Sequence, residues 1–415
     1  MKKFIALLLI LTTLVSMFGC VARIRANNLM DDITPNKVNE PEGMELQNSD
    51  LADFAVRLFK ASEKNGKNTL ISPLSVLCAL AMTANGAKGE TRAQMESVLG
   101  MSVEELNFYI YSYMKNLPQG EKYKLSLANS IWFTDDERFM VNQDFLQTNA
   151  DYYGADIFRA PFNKQTCKDI NTWVKNKTDG MIPEILDEIP ADAIMYLVNA
   201  LAFEAEWPEF YEESDVRDKK FTKEDGTMQD VVLMYGEETD FLEDEKATGF
   251  IKYYKGGKYA FVALLPNEGV SVSEYIASLD GEKLIKMLEN PKNYNVFTAI
   301  PKFETEYDVE MSKILAEMGM PDAFDDGKAD FTGLGTSSAG NIFIGRVLHK
   351  TFISVGEKGT KAGAATVVEM KDESCDWIDG EIKYVYLDRP FVYMLVDCEN
   401  NIPFFVGTMM DVNGK

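Results

Sequence analysis

One α+β domain is the fold class these 415 residues predict, and three observations predict it. Helical periodicity dominates the first half of the chain and strand-like runs the second. No low-complexity linker and no repeat separates the halves. Hydrophobic residues make up 46% of the sequence, enough to fill a large core. The formal charge of -24 argues against a nucleic-acid partner, because a phosphate backbone is held by clustered Lys and Arg and no dense basic run occurs. Such acidity describes a soluble, self-repelling surface.

The chain opens on an export signal over residues 1–19. Lys2 and Lys3 supply a positive start, Phe4 to Phe18 an apolar stretch short for a membrane span, and Gly19 with Cys20 a small-residue end. It resembles a bacterial lipoprotein signal, in which the cysteine is lipid-modified and becomes the first mature residue. Met17 and Phe18 are unusual before Gly-Cys in that pattern, so ordinary cleavage and secretion is the alternative. Residues 20–47 are polar, carry Asn27-Asn28, Pro35 and Pro41, and show no sustained hydrophobic period, which predicts a tether.

From Asn48 an amphipathic helix is expected, with Leu51, Phe54, Ala55, Leu58 and Phe59 at helical spacing behind Ser49 or Asp50 as cap. Ser72-Pro73 opens a second helix whose body, Leu74 to Ala84, is nearly all apolar and so predicted to be buried on several sides. Lys88-Gly89-Glu90-Thr91 is read as a turn before a helix ending near Gly100. Leu125 to Phe133 has strand composition; Gln143 to Tyr153 and Ile170 to Lys177 are read as helices, the latter stopping at Asp179-Gly180. Ala193 to Phe203 suits a strand covered on both faces. Short strands follow at Lys220-Phe221, Val231 to Met234, Phe250 to Tyr254 and Tyr259 to Leu265. Helices are expected over Val272 to Leu288 and Glu310 to Met318, and strands over Ile342 to Ser354, Tyr384 to Val396 and Phe404 to Met409.

Glu357 to Ser374 has a pattern of its own. Thr360, Ala362, Ala364, Thr366, Val368 and Met370 form one uncharged alternate set, and the other set holds every charge between Thr360 and Lys371. A strand with one buried face needs this segregation. Yet Gly359 and the many small residues make a poor permanent strand, and a surface loop is the other reading. Asp372 is the first charge on the uncharged face, so burial should stop near it. Catalytic chemistry finds little support: His349 is the only histidine, no GxSxG occurs, and Gly333-Leu334-Gly335 is too short to cradle phosphate. Cys78, Cys167, Cys375 and Cys398 show no metal-ligand spacing, and their pairing is open; Cys78 and Cys398 lie in apolar stretches suited to buried free thiols. No metal or cofactor is indicated.

The end of the chain, Val385-Tyr386-Leu387-Asp388-Arg389-Pro390-Phe391-Val392-Tyr393-Met394-Leu395, resembles the serpin signature, and Phe404-Phe405-Val406-Gly407 its closing strand. Glu357 to Ala365 is similar to the hinge of the serpin reactive loop. Ser72-Pro73-Leu74-Ser75, Ala128-Asn129-Ser130-Ile131-Trp132, Asn171-Thr172-Trp173-Val174 with Thr178-Asp179-Gly180, Val198-Asn199-Ala200 with Phe203 and Trp207, and Pro301-Lys302-Phe303 resemble further serpin segments in serpin order. The resemblance covers roughly residues 48–413, and the domain is drawn at 48–415 with a reactive-centre loop at about 357–380.

The resemblance implies about nine helices, a large five-stranded sheet and two smaller ones. It implies a monomeric suicide-substrate inhibitor, not an enzyme, of serine-type or cysteine-type endopeptidases. The protease attacks the loop and forms an acyl-enzyme; the cut loop then inserts into the large sheet and distorts the protease. It further implies a hinge of Glu357, Gly359, Thr360, Ala362, Gly363, Ala364 and Ala365. Ser72, Ser75, Asn199 and His349 match a shutter under the sheet, and Trp207 the breach at its top. Counting on from Glu357 by the family's usual loop length gives Glu373-Ser374 as the reactive bond. Met370, Lys371 and Asp372 stay open, as does a shift toward Asp379, because the stretch from Ser374 to Pro390 is long for the family. A non-inhibitory serpin serving as a surface binding or structural protein is the alternative. The expected setting is outside the cell or on its membrane through Cys20.

Overall fold

The apolar stretch behind Pro73 decides the layering. A computed structural model describes residues 23–39, 48–64, 66–117, 120–189, 195–338, 340–360 and 381–414. In it every residue of the helix Pro73–Ala84 is buried. That helix packs on strands of two different sheets, so it has no polar face to offer solvent.

In chain order the strands are β1 Asn27–Asn28, β2 Thr69–Ile71, β3 Tyr123–Thr134, β4 Phe139–Val141, β5 Asp156–Ala160, β6 Met195–Glu206, β7 Val216–Thr222, β8 Met228–Glu243 and β9 Ala247–Tyr253. They continue with β10 Tyr259–Pro266, β11 Lys292–Pro301, β12 Phe303–Glu310, β13 Gly335–Ser337, β14 Arg346–Gly356, β15 Gly359–Thr360, β16 Ile382–Tyr386, β17 Phe391–Asp397 and β18 Ile402–Met409. Nine helices lie among the described residues: Asn48–Ser62, Pro73–Ala84, Gly89–Leu99, Val103–Lys115, Gln143–Tyr153, Lys164–Lys177, Val272–Ser278, Gly281–Glu289 and Ser312–Met318.

The first sheet runs β1-β5-β3-β6-β15-β14-β12. Five of its strands are the expected large sheet; β1 and β15, two residues each, are added at the β5 edge and between β6 and β14. The second runs β16-β11-β8-β9-β10-β17-β18-β2, with β7 on β8. The 16-residue β8 pairs with β7 and β11 and, at its far end, with β9. What the resemblance counts as two smaller sheets therefore forms one continuous path. A two-stranded sheet, β4 with β13, stands apart.

Several expectations need adjusting. The helix Val103–Lys115 was not foreseen, although Ser102 and Glu105 form a capping box at its start. The turn read at Lys88–Thr91 is already the first turn of Gly89–Leu99. The helix expected over Val272–Leu288 is two helices, because Asp280 accepts from the Lys283 amide and caps a second one. The strand expected over Tyr384–Val396 is likewise two, β16 and β17, interrupted before Pro390, which has no N–H to give a ladder.

The tether needs the largest correction. Over residues 23–39 the polar stretch lies on the body. β1 covers the backbone edge of β5, and Leu29 N–H donates to Ile157 O at 2.7 Å. The buried Asp169 carboxylate accepts from the amides of Arg25 (3.1 Å) and Ala26 (2.9 Å). Leu29, Met30 and Ile33 pack against the core. The segment needs no hydrophobic period to dock, because edge pairing and one carboxylate satisfy its backbone. Replacing that carboxylate by Asp169→Ala should cost about 1 to 2 kcal/mol. Urea unfolding should read the loss, and tryptic cleavage after Arg25 should accelerate; an unchanged cleavage rate would count against this docking.

Candidate functional site

Two clusters of side chains stand along the divide between β6 and β14. The strands pair directly, in parallel, only from Tyr196↔Arg346 to Asn199↔His349. Farther along, β15 lies between them, antiparallel to both, with Thr360 opposite Ala205 and Val355. Between these points, residues 200–204 and 350–354 have no ladder partner across the divide among the described residues. The clusters close its two ends, about 20 Å apart at the rise of a strand.

The upper cluster holds the start of the segment that the resemblance reads as the hinge. After Gly356 the chain turns, and three successive carbonyls are taken up. Trp207 Nε1 donates to Gly356 O (2.9 Å), Tyr211 N to Glu357 O (3.0 Å) and Trp207 N to Lys358 O (2.9 Å). Gly359 then enters the sheet with φ +144, and a Cβ there would lie 2.0 Å from Ala205 O. Only glycine permits that approach. Thr360 is buried, and its hydroxyl bonds that of Tyr254, which stacks on Trp207 with ring centroids 4.4 Å apart.

The fully buried Trp207 is thus both an apolar anchor and a double donor. Lys252 lies over the rings of Trp207 (5.2 Å) and Tyr211 (5.0 Å) and pairs with Glu238 at 2.6 Å. The hinge carboxylate Glu357 pairs with Lys302 at 2.9 Å. Burial acts to raise the Glu357 carboxyl, but hydrogen bonds from Lys302 and its own backbone, with the charges of Lys302 and Lys358, bring it below the usual carboxylate range.

The lower cluster joins the helix Pro73–Ala84 to both strands. Ser72 caps that helix, its Oγ accepting from Ser75 N at 3.3 Å. Ser72 N–H donates to His349 Nε2 at 3.0 Å, which leaves the ring proton on Nδ1. Asn199 Oδ1 accepts from His349 Nδ1 (2.9 Å) and from Ser75 Oγ (2.8 Å). The structure therefore brings Ser72, Ser75, Asn199 and His349 together, all buried. Asn199 Nδ2 is buried without an acceptor among the described residues. Burial pushes the His349 imidazole down to about 3, so it is neutral. With both nitrogens engaged and the ring shut off from water, this cluster is built to join strands and has no route for proton exchange with a substrate.

The reactive bond Glu373-Ser374, the hinge residues Ala362, Gly363, Ala364 and Ala365, and Cys20 lie outside the described residues, as does Cys375. Cys78, Cys167 and Cys398 are free thiols. Reading the sequence missed Tyr211, Tyr254, Lys252 and Glu238. The one available signal was Lys252, a lone cation inside the apolar run from Phe250 to Tyr254.

A family profile described as "Serpin (serine protease inhibitor)" matches residues 49–412. Among curated proteins, the horse leukocyte elastase inhibitor is 32% identical over 75% of this chain and 86% of its own length. Human serpin B9 is 30% identical over 88% and 99%, and an uncharacterised serpin-like protein of Thermococcus kodakarensis 28% over 86% and 84%. Among solved structures, the thermophilic serpin tengpin in its native state superposes with a TM-score of 0.88 at 50% identity, over 93% of this chain and 99% of that one. Tengpin in its latent state gives 0.79 at 46% identity, over 92% and 100%. The chain's conformation is thus nearer the native than the latent state of that relative.

His349 generates a pH prediction. Its folded value lies below the ordinary 6.5, so between 6.5 and about 3 the unfolded chain binds more protons and stability decreases as the pH is lowered. Going from about pH 7 to about pH 5 should remove roughly 2 kcal/mol through this residue. Thermal unfolding across that range checks it: His349→Gln should flatten the slope, and an equally steep slope in the variant would reject the assignment.

Proposed function

The chain belongs to the serpin family, and from that premise we propose that it is an endopeptidase inhibitor acting as a suicide substrate. Its target is a protease of serine or cysteine type, and no catalytic group of its own takes part. Relatives whose names describe protease inhibition, such as the horse leukocyte elastase inhibitor, support the general activity.

The observation that carries the mechanism is β15. Two hinge residues already occupy the divide, antiparallel to both neighbours, and they fix a register. Continued after cleavage, that register sets Ala362 opposite Phe203 and Ile353, Ala364 opposite Leu201 and Thr351, and Thr366 opposite Asn199 and His349. Each of those neighbours is buried, as Thr360 is. The uncharged set would therefore enter the core side, and Lys361 would fall to the other face, beside Glu204. Insertion would pair two strand edges at once as far as Ala364; for Thr366 to follow, the direct Asn199↔His349 pairing must part, which would bring it beside Asn199 Nδ2, unpartnered among the described residues. On this reading the uncut fold is stable by barrier, and cleavage releases it.

The reactive bond in this reading is Glu373-Ser374, and mass measurement of the released C-terminal peptide tests it against Met370, Lys371, Asp372 and Asp379. The protein is exported and held at the membrane through a lipid on Cys20, with its target outside the cell.

Incubation with a panel of trypsin, chymotrypsin, pancreatic elastase and glutamyl endopeptidase should yield a complex that survives denaturing gel electrophoresis. Thr360→Arg places a charge on the buried face and against the Tyr254 hydroxyl. It should convert inhibitor into substrate, raising the stoichiometry of inhibition at least about tenfold. A normal yield of stable complex from Thr360→Arg would refute insertion as the mechanism.

A further inference from the structure

Beneath the hinge turn lies a charge that packing does not ask for. Phe250, Lys252 and Tyr254 alternate onto the inward side of β9 and the residue that follows it, and all three are buried. A leucine would fill the middle place. Lys252 instead reaches Glu238 of β8 at 2.6 Å, and the two side chains are only 11% and 13% exposed. Glu238 shares a face of β8 with Gly236, two residues back. A Cβ at Gly236 would lie 3.2 Å from the Tyr211 ring, so the glycine leaves that ring room against the strand.

Stability does not account for the pair. A buried ion pair adds little net stability, and apolar residues of similar volume commonly serve a core as well or better. What an apolar pair cannot do is attract the faces of aromatic rings. The Lys252 ammonium lies over both Trp207 and Tyr211. Those two residues supply the donors to the carbonyls of Gly356, Glu357 and Lys358. One cation therefore holds two rings, and the residues that bear the rings hold the turn that delivers Gly359 and Thr360 into the divide. Glu238 keeps the cation in place.

We infer that Lys252, held by Glu238, is a positioning residue for loop insertion. It fixes Trp207 and Tyr211 so that the two residues of β15 stay in register and a severed loop extends a strand already begun. The inference rests on the insertion reading above. It gives the pair a role in the speed of insertion and none in its end state. Beginning a strand is the slow part, because the first pairings are made against chain entropy before later ones add to them. In a suicide-substrate inhibitor that speed decides the outcome, since hydrolysis of the acyl-enzyme competes with insertion.

The test uses Lys252→Met/Glu238→Leu in the full protein, which removes both charges and strands neither. With each protease of the panel that cuts the loop, three quantities are measured. They are the second-order rate of loop cleavage, the tryptophan fluorescence change that follows cleavage at saturating protease, and the partition between complex and cleaved product. Cleavage should stay within about twofold of wild type, while the fluorescence phase slows at least about tenfold and the partition moves toward cleaved product. The cleaved variant should end as heat-resistant as cleaved wild type. Lys252→Arg, whose guanidinium can pair with Glu238 and stack on both rings, should restore wild-type kinetics. Should the apolar pair not fold, Lys252→Gln/Glu238→Gln keeps a hydrogen bond in place of the charges and carries the same expectation.

A charge-free variant that inserts at the wild-type speed overturns the inference, even if its native stability falls. So does a Lys252→Arg variant as slow as the double one, since bulk and not the cation over the rings would then be at work. A wild-type protein that inserts its cut loop without trapping the protease sinks the inhibitory reading alone, and the fluorescence rate still decides this one. A wild-type loop that none of the four proteases cuts, or that does not insert once cut, overturns both.

Discussion

The structure depends on an unfinished pairing. Buried backbone N–H and C=O groups are almost always paired, and a strand edge left facing a gap inside a sheet is an unfavourable state. On their outer sides β6 pairs with β3 from Met195 to Ala205 and β14 with β12 from Leu348 to Val355, and the two meet each other over only four ladder positions, from Tyr196↔Arg346 to Asn199↔His349. Above that they are held apart by the two residues of β15. The geometry that would satisfy them is already set, since β15 is antiparallel to both. What keeps the arrangement in place is therefore whatever fixes the two ends of the divide.

Those ends use different chemistry. The lower one is a neutral, short-range cluster in which one Asn199 oxygen accepts from a helix serine and from His349, so helix, β6 and β14 share a single acceptor. Its bonds are directional and buried, so small displacements cost much, although Asn199 Nδ2 has no acceptor among the described residues. The upper end is an aromatic and cationic clasp. Trp207 grips the hinge turn by two donors while Lys252 sits over its ring, and the Lys252–Glu238 pair is itself largely dry. A buried ion pair adds little net stability, but removing either partner strands a charge, typically at about 3 to 5 kcal/mol. The hinge is thus gripped where it enters, and Gly359 is the one position where the strand can slip so close to the Ala205 carbonyl.

Much of this was legible in the chain. Ser72-Pro73 with its apolar run gave the buried helix, and Thr360, the one member of its alternate set among the described residues, is buried as that alternation expects. The resemblance supplied Asn199, His349 and Trp207, which the ladder register then brought to opposite ends of one gap. Glu238, Tyr211 and Tyr254 were not legible, because they come from β8 and the segments after β6 and β9; Lys252 stood out as a lone cation in an apolar run, but nothing local marks that the four converge. The docking of residues 23–39 was hidden for a related reason. It is carried by backbone groups meeting Asp169 and the β5 edge, and backbone pairing leaves no hydrophobic signature in a sequence. The break at Asp280 and the capping box at Ser102 were written in the residues and overlooked, since the apolar period on either side of Asp280 continues without pause.

The surface charge bears on the same problem as the open divide. A sheet ready to accept one more strand accepts a neighbour's as readily as its own, because the ladder does not distinguish chains. Local pairing and clasps lower the rate of opening but do nothing about concentration. A net charge of -24 does: two molecules must approach closely before a foreign strand reaches β6 and β14, and like charge opposes that approach. The same repulsion costs the monomer little at moderate salt, where its charges are screened beyond about 8 to 10 Å. One alternate set of the Thr360–Met370 stretch carries no charge, and on the proposed reading it is the set that goes inside. On that reading the alternation that suits the stretch for burial and the acidity that keeps molecules apart are two parts of one solution, since an edge that is to be filled by its own chain has to be kept from its neighbours'.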